Sequence, residues 1–277
     1  MNNFKLIAFI VLLAGCSSES SQIKFESLLD SEWSKIVNDN PVYASSMGDL
    51  SQNTKWSDTS VEKIYSDHQD QLAVLNQLDE LDISDFTEEN KVNYLLFKQQ
   101  YENSIESHAY KTFLIPFSHR GGIQLQHETT SIVPLRNKQH YLDWIERISK
   151  IDVLVDAAIE KAKIGIAEEI VPPRFLMQKV YKQIELQAFV EPKDSPFYRA
   201  FLEMDRSLDG DEVQEIQQKA LDVIKLKVIP AYLKLHRFFK DEYLPACRKS
   251  IGIKEIKNGK EYYEFLARKF TTTKLTP

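Results

Sequence analysis

Glycine and proline are scarce in this chain, at 8 and 10 of 277 residues. So few turn-formers argue against a many-turned β fold, and apolar residues recurring at steps of three and four favour a mainly α, multi-helix array. An excess of positive charge is also missing. The formal net charge is -6, with lysines and glutamates interleaved as on solvated helix faces, whereas a nucleic-acid partner would call for a basic stripe. No nucleic acid is expected. The apolar run from Leu6 to Leu13 is too short to cross a bilayer stably. Complete catalytic signatures are absent too. His127-Glu128 opens like the zincin pattern HExxH, but Ser131 stands where the second imidazole should face the same zinc one turn on. There is no GxSxG elbow, and Gly121-Gly122 lacks the lysine and the strand-to-helix setting of a phosphate-binding loop. His68, His108, His119, His140 and His236 are scattered without ligand spacing, so no metal or other cofactor is expected in this chain by itself.

What is present begins with an ordinary globular composition, 43% hydrophobic and 27% charged, on a chain long enough for a substantial core. Lys5 and the run from Leu6 to Leu13 have the form of a signal peptide. The run ends in Leu13-Ala14-Gly15-Cys16, which resembles the lipobox of bacterial lipoproteins. That resemblance implies cleavage before Cys16 and acylation of the cysteine; a plain secretory signal that happens to contain a cysteine is the alternative. Several acyl chains hold a protein at a membrane because each buried methylene contributes about 0.8 kcal/mol. Ser17, rather than an aspartate, follows the cysteine, which favours the outer membrane, facing the periplasm, if the host is Gram-negative. The expected division is therefore a signal peptide at 1–15, a lipidated cysteine and polar tether at 16–24, and a helical domain at 25–277. Cys247 is then left unpaired and reads as a buried small hydrophobe rather than a nucleophile.

Phe25, Leu28, Leu29, Trp33, Ile36 and Val37 mark a first amphipathic helix ending at Asn40-Pro41, followed by a loop through Gly48 to Trp56. Ser60 can cap a second helix with Val61, Ile64, His68, Leu72, Leu75 and Leu78 on one face, and Thr87 can begin a third with Val92, Leu95, Leu96, Tyr101 and Ile105 inward. Between Phe113 and Leu135 the helical period vanishes, and a long irregular stretch inside a helical chain is a functional candidate. One helix is expected from Tyr141 to Ala162, closed by Gly165; another starts with Pro172-Pro173 at its first turn. Asp211 is a cap for the longest helix, in which Pro230 predicts a kink or a break.

Two pairs of side chains are candidates for lining a cleft. His119 and Arg120 could bind an anionic group, the guanidinium offering a planar fork of donors, or could hold their own loop by a salt bridge. Tyr262 and Tyr263 could be cleft-lining donors or core and surface neighbours on one helix.

Taken in order, the segments PVYASSMGD, TEENKVNYLLFKQQ, SHRGGIQLQ, IVPPRFLMQKV, DSPFYRAF, VIPAYLKLHRFFKDEYLPACR and NGKEYYEFLARKFTTTKLTP resemble the bacterial family called domain of unknown function 885 (DUF885). The resemblance covers residues 25–277. It implies a secreted or lipid-anchored envelope protein whose full-length members are roughly double this length and similar in fold to helical zincin-like metallopeptidases. An HExxH-like zinc helix would lie in the half following Pro277, so the resemblance implies zinc-dependent peptide hydrolysis for complete members and carries no ligand onto any residue here. The expectation is an N-terminal, truncated portion, inactive alone, whether a fragment, a split-gene product or a truncated copy, with a separately encoded catalytic half as one candidate partner and a peptide as candidate substrate. A non-catalytic helical envelope lipoprotein that binds a peptide or protein is the alternative. The 113–135 stretch and the 259–273 segment are the expected cleft walls. Helices made to pack on a missing half would leave apolar faces uncovered, with Tyr262 to Phe270 the first place to look.

Overall fold

A computed structural model describes residues 20–273; the signal-peptide reading of 1–15 and the lipid-attachment reading of Cys16 lie outside the described residues. The described residues build helices, and extended pairing among them is confined to two isolated bridges, Ser118 with Gly121 and Pro173 with Arg248.

Three helices make a small bundle at the N-terminal side: α1 (Ser21–Asp39), α3 (Val61–Asp79) and α4 (Glu88–Ala109). Each starts on a short hydroxyl side chain. Ser20, Ser60 and Thr87 accept from the backbone N–H groups of Ile23, Lys63 and Asn90, and such a cap satisfies a donor that the first turn leaves orphaned. The bundle closes on Phe25, Leu28, Val74, Leu78, Phe86, Tyr94 and Tyr101. On α4 the expected inward face is right at Tyr101 and wrong at three other positions. Val92, Leu95 and Leu96 are exposed, while Tyr94 and Tyr101 are buried. The tyrosines carry more apolar area and can still satisfy their hydroxyls, Tyr94 donating to the Leu78 carbonyl at 3.1 Å and Tyr101 to the Glu32 carboxylate at 2.5 Å. The expected loop after Asn40 also begins differently, as a short helix α2 (Pro41–Ser46) with Pro41 at its first position, where the missing N–H costs nothing. Gly48, at φ +95°, turns the chain after it.

The main core lies between α5 (Lys138–Ser149), α6 (Ile151–Ala167), α7 (Arg174–Ala188), α8 (Gly210–Val223) and α9 (Ile229–Phe238). Its centre is aromatic and branched aliphatic, with Trp144, Ile148, Val180, Phe197, Phe201, Tyr232 and Phe239 buried. The apolar stripe expected to form one helix is split at Lys150, whose backbone leaves the helical region and whose ammonium reaches the Thr54 carbonyl at 3.2 Å. Gly165 does not close α6 but sits within it. A Cβ there would lie 2.6 Å from the Leu114 carbonyl oxygen and 2.9 Å from that of Ile170, so glycine lets the neighbouring chain touch the helix backbone. Pro173 is the cap of α7 rather than its first residue, and Asp209, not Asp211, caps α8 by accepting from Glu212 N–H at 2.8 Å.

The break expected at Pro230 takes a specific form. A π-helical turn at Ile224–Val228 precedes it, and a second at Phe239–Tyr243 precedes Pro245 and the single turn α10 (Leu244–Ala246). A proline cannot donate to the carbonyl four residues back, and in each case that carbonyl lies inside the wider turn. The last helix, α11 (Gly259–Thr271), follows Asn258 in the left-handed region. It leans on the end of α4 through Tyr110, which meets Tyr262 at 5.1 Å and Phe265 at 5.4 Å, and through Arg268, which pairs with Glu106 at 2.6 Å.

Candidate functional site

The irregular 113–135 stretch is ordered by its own sequence. Leu114, Phe117, Ile123 and Val133 are buried, and two short 3₁₀ segments, Thr112–Leu114 and Ile123–Ser131, carry the chain between them. The Gly121-Gly122 turn is fastened by buried Gln124, whose amide donates to the Ser118 carbonyl at 2.7 Å and to Gln183 Oε1 at 3.2 Å. Gln183 in turn donates to the His119 carbonyl, Gln187 to the Gln124 carbonyl, and the Tyr232 hydroxyl to the Ile123 carbonyl at 2.5 Å. Gly122 adopts φ +127°, and a Cβ on it would press to 2.9 Å from Gln124 Oε1. The loop is thus a rigid wall.

Facing that wall across a cavity of about 320 Å³ are the 56–59 connection and α6. Trp56, Ile123 and Leu154 supply apolar surface, while Ser57, Gln126 and Lys161 supply polar groups. Lys161 is only 7% exposed and donates to the Thr59 carbonyl at 2.5 Å. Burial pushes its ammonium below the ordinary lysine value, opposed in part by the charges of Asp58 and Glu160. Asp58 is held below the usual carboxylate range by the Ser60 N–H, which it accepts at 2.9 Å. Two larger hollows flank α3 and α4, of about 650 and 380 Å³, but the charged groups of the second largely pair with one another, Lys35 with Asp39 at 2.6 Å and Lys63 with Asp39 at 2.8 Å.

The four side chains singled out in the sequence stand apart from this cavity. His119 is half-buried and serves through its carbonyl, and Arg120 is exposed, its backbone N–H donating to Ser118 Oγ at 3.3 Å. Among the described residues Arg120 has no carboxylate in salt-bridge range, so the expected loop-holding ion pair is replaced by the glutamine network. Tyr262 packs between Tyr110 and Phe265, and Tyr263 points outward at 51% exposure. The structure does not bring the two pairs together. Cys247 is buried, and burial pushes its thiol up to about 12, as suits a small hydrophobe. His127 lies on the 3₁₀ segment with Nδ1 at 2.9 Å from the Gln187 amide. No three His, Cys, Asp or Glu side chains gather among the described residues, so these residues do not fit a zinc site.

Lys161, Gln183 and Gln187 escaped the sequence reading because each is a polar residue on an otherwise apolar helix face, and Gln124 because it lies where the helical period is lost. The interruption is the signal that could have found the first three: Lys161 between Ala158 and Ala162, Gln187 between Ile184 and Ala188.

The fold aligns with a crystal structure of a Colwellia psychrerythraea protein, assigned by inference as a lipoprotein, at a TM-score of 0.79 and 18% identity over 93% of this chain. The alignment covers 47% of that protein, so the chain spans about half of its length. No curated protein matches the chain. A family profile described as "Bacterial protein of unknown function (DUF885)" matches residues 41–277. With most of its length under that match, the chain belongs to the DUF885 family.

Proposed function

We propose that this chain is the helical lobe of a lipid-anchored cell-envelope protein, held at Cys16 to the outer membrane and facing the periplasm, without catalytic activity of its own. The zinc site and the peptide-hydrolysing chemistry belong to a second lobe that packs against this one. The observation that carries this reading is the outward face of α11. Tyr263, Leu266, Ala267 and Phe270 fall at steps of three and four along it, with Phe270 77% exposed. Phe265 and Tyr262 are already spent on Tyr110, while Leu266 and Ala267 are half-buried and Tyr263 and Phe270 stay exposed, so the second apolar stripe is only partly covered among the described residues. A monomer seldom leaves such a stripe bare. The similar structure is roughly twice as long as the part that aligns, which supports an occupant of comparable size, and its assignment as a lipoprotein supports the anchor.

Co-expression of the mature chain with the polypeptide encoded directly downstream tests the reading. An HExxH-containing product that co-purifies with the chain, and is lost on Tyr263→Asp with Phe270→Asp, is the expected result. A downstream region unable to encode such a product, or co-purification indifferent to both substitutions, would refute it. A non-catalytic lipoprotein that binds a peptide is the second reading, favoured by the cavity beneath the 113–135 wall.

A further inference from the structure

The cavity behind the Gly121-Gly122 turn has a chemical bias that the docking of a second lobe does not explain. An ammonium has three donors, and that of Lys161 has one hydrogen-bond partner, the neutral carbonyl of Thr59. No carboxylate of the described residues comes within salt-bridge range of it; Asp58 and Glu160 act only as more distant charges. A cation withdrawn from water and matched to one neutral acceptor is costly unless an anion or a set of dipoles completes its shell. The open space it borders is about 320 Å³, at the small end of ligand sites. Trp56, Ile123 and Leu154 line the same space with apolar surface, and Ser57 and Gln126, both half-buried, offer further hydrogen bonds. The wall opposite is fixed in place by Gln124, Gln183 and Tyr232, so the site needs little reorganisation to receive a ligand.

We propose that this cavity binds a small monocarboxylate with an apolar side chain, of the size of one blocked amino acid. Its carboxylate accepts from Lys161 Nζ, and its side chain lies between Trp56 and Ile123. One ammonium matches one negative charge. A phosphate carries more negative charge than one ammonium can match, and no second cationic side chain lines the cavity. The apolar surfaces leave no place for a second charged group on the ligand. The proposal goes beyond the lobe-docking reading and is independent of it, because the residues that would meet the ligand belong to α6, the 56–59 connection and the 116–126 turn, and none belongs to α11.

Calorimetric titration of the mature chain with N-acetyl-leucine, N-acetyl-leucinamide and inorganic phosphate decides it. The acid is expected to bind saturably and the amide at least tenfold more weakly, with no saturable heat from phosphate. Lys161→Met is expected to erase the preference for acid over amide. Because that variant alters a buried position, Ser57→Trp, at a half-buried lining position, serves as a second: it should block both acid and amide while leaving the thermal midpoint unchanged. Equal binding of acid and amide, binding of phosphate as tight as that of the acid, no binding at all, or a preference that survives Lys161→Met would each overturn the proposal.

Discussion

At Arg147 a guanidinium lies fully buried with oxygen partners that are all neutral: Ser45 Oγ at 2.9 Å and the carbonyls of Pro41 and Gln52 at 3.4 Å. It also lies over the Trp56 ring at 5.7 Å, and burial lowers its pKa to about 10. The residue ties α2 and the turn after it to α5. Arg147→Met keeps the stem and removes the charged donors, while the Pro41 carbonyl keeps the Ser45 hydroxyl and the Gln52 carbonyl keeps the Lys55 N–H; the expected loss is that of hydrogen bonds to a charged group, about 1.5–3 kcal/mol, read as a lower denaturant midpoint at unchanged slope. A second residue-scale effect sits at His108, stacked on His68 at 3.9 Å. Burial, then the neighbouring His68 and Lys111, hold His108 below the ordinary value of 6.5. With the folded pKa below the unfolded one, the unfolded chain takes up the proton first. The stability contribution is therefore full above about pH 6.5 and is lost as pH falls toward the folded pKa. His108→Phe should flatten the fall of the thermal midpoint between about pH 7 and pH 5; an unchanged slope would remove this account.

Among the elements, α11 is held chiefly by the 253–255 segment and the end of α4. Its inward side rests on Phe265 and Tyr262, and at its start a Cβ on Gly259 would come within 2.1 Å of the Ile253 carbonyl oxygen. Phe265→Ala, a truncation that costs about 3–5 kcal/mol in a closed core, should here release the helix alone. Amide protection across 259–271 would vanish while the global midpoint moved little. The same helix shows what was legible in advance. Its aromatics and its uncovered side could be read from spacing, as could the caps Ser60 and Thr87, because a short hydroxyl before an apolar period has one common use. The inward face of α4 could be read only at Tyr101, because Val92, Leu95 and Leu96 look more apolar than Tyr94, and only the hydroxyl partner of Tyr94 makes its burial cheap. The break at Lys150 was hidden by a stripe that runs unbroken across it. For the site, the loss of helical period at 113–135 pointed to one wall. Lys161 did not announce itself, since a lone lysine in a helix usually carries its charge out to water.

Seen whole, the described residues have two cores, a small one among α1, α3 and α4 and a large one running from Phe117 to Cys247. The small core contains seven buried residues, which leaves less apolar area to resist opening. Native-state hydrogen exchange should find α1, α3 and α4 opening at lower denaturant than α6, α7 and α9, and a single common isotherm would contradict the division. The central claim concerns the molecule as a lobe that supports chemistry placed on its partner. The most direct measurement is peptidase turnover by the purified mature chain, assayed on a mixed peptide pool with and without added zinc. The account predicts no hydrolysis above buffer in either condition; zinc-dependent turnover abolished by a chelator would contradict it.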